Sequence, residues 1–169
     1  AKPAFLDWHQ AAAIPLAGLT AWRALMTQAG LQRGESVLIT GIGGGVSTFA
    51  MLWAVNHGAS VYVTSSSNEK IAKAKSLGAA DGINYKDEGW GKQAQKLTGG
   101  VDVVIDSTGG DAMHDYLDIL KAGGRMVIYG GTAGNPQKGM NVPKFFFRQI
   151  TLKGSTMGTP AEFATMMAF

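Results

Sequence analysis

The sequence predicts an α/β domain built on a doubly wound, parallel, six-stranded sheet, and three observations lead to this fold class. Short segments rich in β-branched residues alternate with segments of helical periodicity along the whole chain. The strand segments are continuous apolar runs, as expected where helices cover both faces of a parallel sheet. The 24 glycines lie at the junctions between segments and show no period, which argues against a collagen-like or low-complexity chain.

The first 30 residues predict a helical lead-in to the sheet. Asp7 is placed to cap a short helix, and Pro15 then opens a longer helix over 16–29 that ends at Gly30. Proline near the start and glycine at the end is the usual polarity of a helix.

Strands and helices then alternate along one domain that occupies 1–169. Strands are predicted at 36–40, 60–64, 82–84, 101–106, 125–129 and 150–153. Helices are predicted at 44–56, 68–77, 90–97 and 112–120, with a turn at 144–148 before the last strand. Because β-α-β crossovers are right-handed, this order favours a doubly wound sheet of the Rossmann type.

The last segment, 159–169, predicts the start of an amphipathic helix. Phe163, Met166 and Met167 lie at positions i, i+3 and i+4 of one helical face. The apolar spacing stops after few turns, so we expect the sequence to be a fragment of a longer protein.

Composition excludes several classes of protein. The net charge of +3 arises from 15 basic and 12 acidic residues that are scattered along the chain, so no nucleic-acid partner is expected. The longest apolar runs fall short of the roughly 18 residues that suggest a membrane span. With no cysteine and no visible signal peptide, a cytoplasmic location without disulfides is expected.

The stretch VLITGIGGGVSTFA, residues 37–50, joins the first predicted strand to its helix. Amides at a helix N-terminus favour an anion, and glycines let the main chain approach a pyrophosphate closely. A complete G-x-G-x-x-G is absent, and the nearest frame has Gly41, Gly44 and Ser47. The β-α-β context favours a dinucleotide phosphate loop. A plain strand-to-helix turn is the alternative.

The end of the second strand favours NADP(H) over NAD(H). NAD enzymes usually carry an acidic residue there, which holds the ribose hydroxyls. This sequence has Ser65, Ser66 and Lys70 in that region, and small donors with a cation suit a 2′-phosphate. Glu69 is interpreted as a solvated residue that interacts favourably with the dipole of its own helix.

Five stretches carry a family resemblance: PLAGLTAWRAL, GGGVSTFA, AKSLGAADGINY, VVIDSTGG and GGRMVIYGG. On these residues the chain resembles the medium-chain dehydrogenase/reductases, within their zinc-independent, quinone oxidoreductase-like branch. The resemblance covers nearly the whole chain and implies the cofactor-binding half of such an enzyme. It also implies a separate GroES-like domain that the chain lacks, so the chain alone is expected to be inactive.

The resemblance assigns roles to matched positions only. It implies that Thr20 lies beside the nicotinamide and that Ser47 replaces the commoner last glycine of the pyrophosphate loop. Ser65 falls where NAD-specific relatives carry aspartate. Lys70 and Tyr85 fall at the adenosine ribose and its 2′-phosphate, although Tyr85 is alternatively an ordinary strand-end aromatic. The other implied cofactor-binding residues are Gly44, Gly45 and Val46 of the loop, Ser66, and Ser107, Thr108, Tyr129, Gly130 and Thr132 after the fourth and fifth strands. Tyr129, like Tyr85, is alternatively an ordinary strand-end aromatic.

No metal site is expected. Where zinc-dependent relatives place a catalytic cysteine, this chain has Leu16, and His9, His57 and His114 show no ligand spacing. We therefore expect NADPH-dependent hydride transfer to a small quinone, enone or related carbonyl, with no catalytic acid or base named.

Other functions remain open at this point. They are a nucleotide-sensing domain without turnover, an alcohol dehydrogenase of the zinc type whose metal ligands lie elsewhere, and a methyltransferase. The resemblance also implies a homodimer through the sixth strand, around QITLKGSTMG. Lys153 in this stretch is alternatively a residue that protects an unpaired sheet edge.

Overall fold

The computed structural model describes residues 2–169, and its centre is one sheet of six parallel strands. The strands are β1 Ser36–Ile39, β2 Ser60–Ser65, β3 Asp81–Asn84, β4 Val101–Asp106, β5 Leu120–Ile128 and β6 Thr151–Gly154. Their order in the sheet is β3-β2-β1-β4-β5-β6. The predicted doubly wound parallel sheet is confirmed, and its strand order reverses between β1 and β4.

Helices lie on both faces of the sheet. They are α1 Trp8–Trp22, α2 Gly45–His57, α3 Asn68–Ser76, α4 Trp90–Thr98, α5 Ala112–Ile119, α6 Val142–Arg148 and α7 Pro160–Ala168, with a π-helical segment, Arg23–Gln28, directly after α1. Across residues 2–169, none of these helices has the length and apolar character needed to cross a membrane.

The lead-in differs from its prediction. Two helices separated at Pro15 were expected, but α1 runs through Pro15 without a break. Proline removes one backbone donor from a helix interior and costs about 3 kcal/mol. Two features favour the continuous helix: Asp7 and Gln10 form a reciprocal capping box, and Ala21 is fully buried on the side that packs against the domain.

Two later boundaries also differ from the prediction. Residues 144–148 form part of the helix α6, not a turn, because the Asn141 side chain caps this helix by accepting a hydrogen bond from the Lys144 amide. The strand β5 begins at Leu120, five residues before the predicted start, and a register shift against β4 accommodates the longer strand.

The core has two layers, one on each face of the sheet. Val37 and Ile39 of β1 face one layer, formed with α2 and the segment after α1, whereas Leu38 faces the other, formed with α5. All three side chains are fully buried. This explains why the strand sequences are continuously apolar, and it leaves the carboxyl ends of the strands as the place for a polar site.

Candidate functional site

The candidate site lies at the carboxyl ends of β1 and β4, where the strand order reverses. Open α/β sheets bind ligands in the crevice at this point. Gly44 is the N-cap of α2, and the first helical hydrogen bond runs from the Thr48 amide to the Gly44 carbonyl, at 3.0 Å. The amides of Gly45, Val46 and Ser47 precede it and therefore lack a partner within the helix. They form the positive end of a 13-residue helix, which favours an anion.

The Ser47 side chain points into the loop. Only 2% of Ser47 is exposed, and its hydroxyl lies 2.9 Å from the Gly41 carbonyl oxygen and 3.0 Å from that of Gly44. Serine at this position thus supports the loop from within. Because the hydroxyl is engaged within the loop, the main-chain amide of Ser47 is the group that remains available to a ligand.

Lys70 lies across the glycine loop. A Cβ atom added to Gly43 would lie 2.7 Å from Lys70 Cδ and 3.4 Å from Lys70 Nζ. Gly43 also has φ +103°, a conformation that side chains of L-residues rarely adopt. Among residues 2–169, Lys70 Nζ has no carboxylate within ion-pair distance. The loop and the predicted 2′-phosphate lysine are therefore next to each other.

The serines at the end of β2 and directly after it form the turn that leads to Lys70. Ser65 is buried, and its hydroxyl accepts a hydrogen bond from the Ser67 amide at 3.2 Å. Ser67 is the N-cap of α3, and its hydroxyl accepts from the Lys70 amide. Ser66 is partly exposed beside them. The exposed Glu69 lies in the first turn of α3, where a carboxylate is favourable.

Asp106, the last residue of β4, is a site residue that the sequence did not reveal. It is fully buried and accepts hydrogen bonds from the hydroxyls of Thr40 and Thr108, at 2.8 and 2.7 Å. It also accepts from the amides of Thr108 and Gly109, at 3.0 and 2.8 Å. Each carboxylate oxygen thus accepts at least one backbone amide: Oδ1 that of Thr108 and Oδ2 that of Gly109.

The loops after β4 and β5 pack against each other. A Cβ atom added to Gly130 would lie 2.8 Å from the Ser107 carbonyl oxygen, so only glycine permits this approach. The Ala133 amide donates to the Thr108 carbonyl at 2.8 Å, and the Thr132 amide approaches the Ser107 carbonyl at 3.4 Å. The structure thus brings together the predicted residues of both loops.

A cleft of about 340 Å³ opens beside these loops, with aromatic side chains on its walls. Trp90 and Tyr116 meet edge to face with ring centroids 5.6 Å apart, and Tyr85 is 42% exposed. Trp90 and Tyr116 were not predicted as site residues, because an aromatic residue in a predicted helix does not by itself indicate a binding site. The residues that line the cleft are Tyr85, Trp90, Thr108, Gly109, Ala112, Tyr116, Thr132 and Ala133.

Two tyrosines near the site, the buried Tyr116 and the partly buried Tyr129, keep a neutral phenol at neutral pH. Burial raises the pKa of Tyr129 above its usual value of 10.0, while the Ser107 hydroxyl acts in the opposite direction. Burial also raises the pKa of Tyr116, whose hydroxyl lies 3.3 Å from that of Thr108. These groups can therefore serve as hydrogen-bond donors but not as anions.

Thr20 is near the loop, but its hydroxyl is already engaged. It is 7% exposed and donates to the Leu16 carbonyl at 2.8 Å within α1. One turn earlier, Ala17 approaches the start of α2, because a Cβ atom added to Gly45 would lie 3.4 Å from Ala17 Cβ. The helix that carries Thr20 thus flanks the glycine loop.

Metal ligands do not converge in the part of the chain that the structure describes. Residues 2–169 contain no group of three or more histidine, cysteine, aspartate or glutamate side chains that could hold a metal ion. Nε2 of His57 lies 3.1 Å from the Leu31 carbonyl oxygen, and Nε2 of His114 lies 3.1 Å from that of Lys138.

Free amides at the switch point, a lysine across the loop and an aromatic cleft beside it are the features of a nucleotide-binding α/β domain. The family comparison agrees with this class. The chain belongs to the zinc-binding dehydrogenase family, whose model matches residues 45–169, and thus to the medium-chain dehydrogenase/reductase superfamily. The family predicted from the sequence is confirmed.

Two curated relatives illustrate the range of the family. A zinc-type alcohol dehydrogenase-like protein of Leptosphaeria maculans is 41% identical over 99% of this chain and 48% of its own length. A quinone oxidoreductase of Pseudomonas aeruginosa is 37% identical over 83% of this chain and 43% of its own length. The chain therefore spans about half the length of the curated relatives that it matches.

Solved structures show the same fold. A structure described as an NAD-dependent alcohol dehydrogenase aligns with a TM-score of 0.92 and 35% identity, over 99% of this chain and 49% of that one. A 2-octenoyl-CoA carboxylase reductase, solved with NADP and 2-octenoyl-CoA, aligns with a TM-score of 0.90 and 26% identity, over 98% of this chain and 42% of that one. Relatives of this domain thus include proteins described with either nucleotide.

Proposed function

We propose that this chain is the NADPH-binding domain of an oxidoreductase that transfers a hydride to a quinone, an enone or a related carbonyl acceptor. The observation that carries the proposal is the position of Lys70 across the phosphate loop, with serines in place of an acidic residue at the end of β2. The quinone oxidoreductase and the NADP-bound reductase among the relatives support it. The lack of cysteine fits a cytoplasmic enzyme.

The residues present fit a dinucleotide in three places. The amides of Gly45, Val46 and Ser47 would hold the pyrophosphate, with the close approach that glycine permits. Lys70 and the serines before it would hold the 2′-phosphate through charge-assisted hydrogen bonds. The cleft lined by Tyr85 would receive the adenine, since a flat aromatic ring packs well against aromatic walls.

The chemistry itself would come from the bound cofactor, because a reduced nicotinamide supplies the hydride. This chain would bind and orient that cofactor. Gly130 and Thr132 would line its path, and the neutral phenol of Tyr129 would offer a donor at the end of β5. We propose no catalytic acid, base or metal in this chain. The acceptor site would be completed by a GroES-like domain in the longer protein.

We also propose that the protein forms a homodimer through β6. This strand is at the edge of the sheet, and all four of its residues are exposed. Leu152 presents an apolar side chain there, with 41% of its surface exposed. Lys153 leaves room for this pairing, since its Nζ is directed towards its own chain, where it donates to the Gln28 carbonyl at 2.8 Å.

The cofactor proposal is tested by calorimetric titration of the chain with NADPH and, separately, NADH. We expect tighter binding of NADPH. Lys70→Ala should weaken NADPH binding about tenfold, equivalent to about 1.4 kcal/mol, and change NADH binding less than about twofold. Lys73→Ala is the matched control, since Lys73 is an exposed lysine of the same helix.

Two results would contradict the proposal. If neither nucleotide binds, the glycine loop is only a turn between a strand and a helix. If Lys70→Ala and Lys73→Ala weaken NADPH binding equally, Lys70 acts through overall charge and does not contact the 2′-phosphate. Titration at about 0.1 M salt limits such long-range effects, because charges are then screened beyond about 10 Å.

A further inference from the structure

Asp106 connects two loops that come from distant parts of the sequence. On one side it accepts from the hydroxyl of Thr40, the residue directly before the glycine loop. On the other side it accepts from the amides of Thr108 and Gly109, which begin the loop after β4. Thr40 strengthens the connection, because its hydroxyl also accepts from the Ser107 amide at 3.0 Å.

The two connected loops face different parts of the candidate site. The glycine loop presents the free amides at the start of α2, whereas Thr108 and Gly109 form part of the wall of the aromatic cleft. The Thr108 hydroxyl, which donates to Asp106, also lies 3.3 Å from the Tyr116 hydroxyl deeper in that wall. One buried carboxylate thus contacts both the residue before the phosphate loop and two residues in the wall of the cleft.

We infer that Asp106 is a positioning residue for the nucleotide: it fixes the spacing between the phosphate loop and the adenine cleft. This inference rests on the proposed function. Asp106 acts through Thr40, Thr108 and Gly109 and needs no contact with the nucleotide. The phosphate loop and the adenine cleft would contact the parts that NADPH and NADH share. Loss of Asp106 should therefore weaken the binding of both nucleotides, whereas loss of Lys70 should weaken mainly the binding of NADPH.

A carboxylate suits this position because each of its oxygens meets a backbone amide, which can only donate: Oδ1 accepts from the Thr108 amide and Oδ2 from the Gly109 amide. Asp106→Asn keeps the shape of the side chain but replaces one acceptor oxygen with an NH₂ group. That group would face either the Gly109 amide or the Thr108 amide, and two donors that face each other in a buried site are costly. The loops would then move apart to relieve the contact.

The same two strands provide a matched control at their other end. Asp102, near the start of β4, accepts from the Ser36 hydroxyl at 2.7 Å and from the Ser36 amide at 2.8 Å. It also pairs with Lys121. This carboxylate thus links β1 to β4 as Asp106 does, but at the amino ends of the strands, away from the candidate site.

The experiment compares Asp106→Asn with Asp102→Asn in thermal unfolding and in titration with NADPH and NADH. We expect both variants to fold and to have lowered melting temperatures. Only Asp106→Asn should lose affinity, by about tenfold for each nucleotide, a loss of about 1.4 kcal/mol. Equal affinity in the wild-type chain and Asp106→Asn, or an equal loss in Asp102→Asn, would overturn the inference.

Thr40 variants provide a second, independent test if Asp106→Asn does not fold. Thr40→Val removes the hydroxyl at nearly constant volume, and Thr40→Ser retains it. Thr40→Val should weaken the binding of both nucleotides and speed the hydrogen exchange of the Thr108 and Gly109 amides. Thr40→Ser should keep both properties close to those of the wild-type chain. Faster exchange with unchanged affinity would make the linkage purely structural and refute the positioning role. A wild-type chain that binds neither nucleotide would instead refute the proposed function, and the inference with it.

Discussion

The hydroxyl of Ser47 is predicted to stabilise the phosphate loop, and Ser47→Ala tests this prediction. The hydroxyl contacts the carbonyl oxygens of Gly41 and Gly44, but a serine has a single proton to donate. The two contacts therefore amount to about one hydrogen bond, worth about 1 kcal/mol. Gly44 loses little, because its carbonyl still accepts from the Thr48 amide and hydroxyl, at 3.0 and 2.8 Å.

The Gly41 carbonyl oxygen loses more hydrogen bonding than the Gly44 carbonyl oxygen does. Its remaining contact within the loop is the Gly44 amide, at 3.3 Å. Incomplete pairing adds a desolvation cost, so Ser47→Ala should cost about 1–2 kcal/mol in total. For a chain of this size, each kcal/mol corresponds to roughly 2–4 °C. We therefore expect a melting temperature lowered by about 2–8 °C and, because the loop serves both nucleotides, affinities reduced by about threefold to fivefold.

Differential scanning calorimetry and nucleotide titration measure the two effects. Thr48→Ala is the control, because it removes one of several donors to the Gly44 carbonyl and should change the melting temperature by less than about 2 °C. Ser47→Gly restores the commoner family residue but adds the cost of a helical glycine, about 0.5–1 kcal/mol, so it should be less stable than Ser47→Ala. A Ser47→Ala chain with wild-type stability and affinity would refute this account of the loop.

Two further predictions concern stability and assembly. The hydrogen bond from Arg125 lowers the pKa of Glu35 below its usual 4.5, against the opposing effect of burial, so this pair stabilises the chain above that pH and ceases to do so as the pH falls through the lowered value. Glu35→Gln should flatten the decline of melting temperature between about pH 5 and 3, and an unchanged slope would contradict this. Light scattering should give twice the 17.7 kDa of one chain if β6 pairs with its copy, whereas the mass of one chain would refute the dimer.

The sheet was predictable because its determinants are local. A strand buried on both faces must be continuously apolar, and glycines mark the turns, so the order of elements can be deduced from sequence alone. Pro15 shows the limit of such rules. Its local cost predicts a helix boundary, yet the Asp7 cap and the burial of Ala21 keep α1 continuous. A local cap and tertiary packing together outweighed the local cost of proline.

Side-chain direction in the site was harder to predict than main-chain geometry. The glycine loop depends on backbone amides, which follow directly from a helix N-terminus at the end of a strand. The inward turn of the Ser47 hydroxyl depends instead on where the Gly41 carbonyl lies, six residues earlier. Sequence spacing allowed this hydroxyl to face either the ligand or the loop, and only the three-dimensional arrangement decides between them.

The Thr40 and Asp106 pair is far apart in sequence yet follows from topology. Ile39 of β1 lies beside Ile105 of β4 in the parallel register, so the next residue of each strand must also be a neighbour. A doubly wound sheet places its first and fourth strands side by side at the switch point. A hydroxyl residue directly after the first strand, together with a carboxylate at the end of the fourth, therefore predicts a buried hydrogen bond between the phosphate loop and the loop across the crevice.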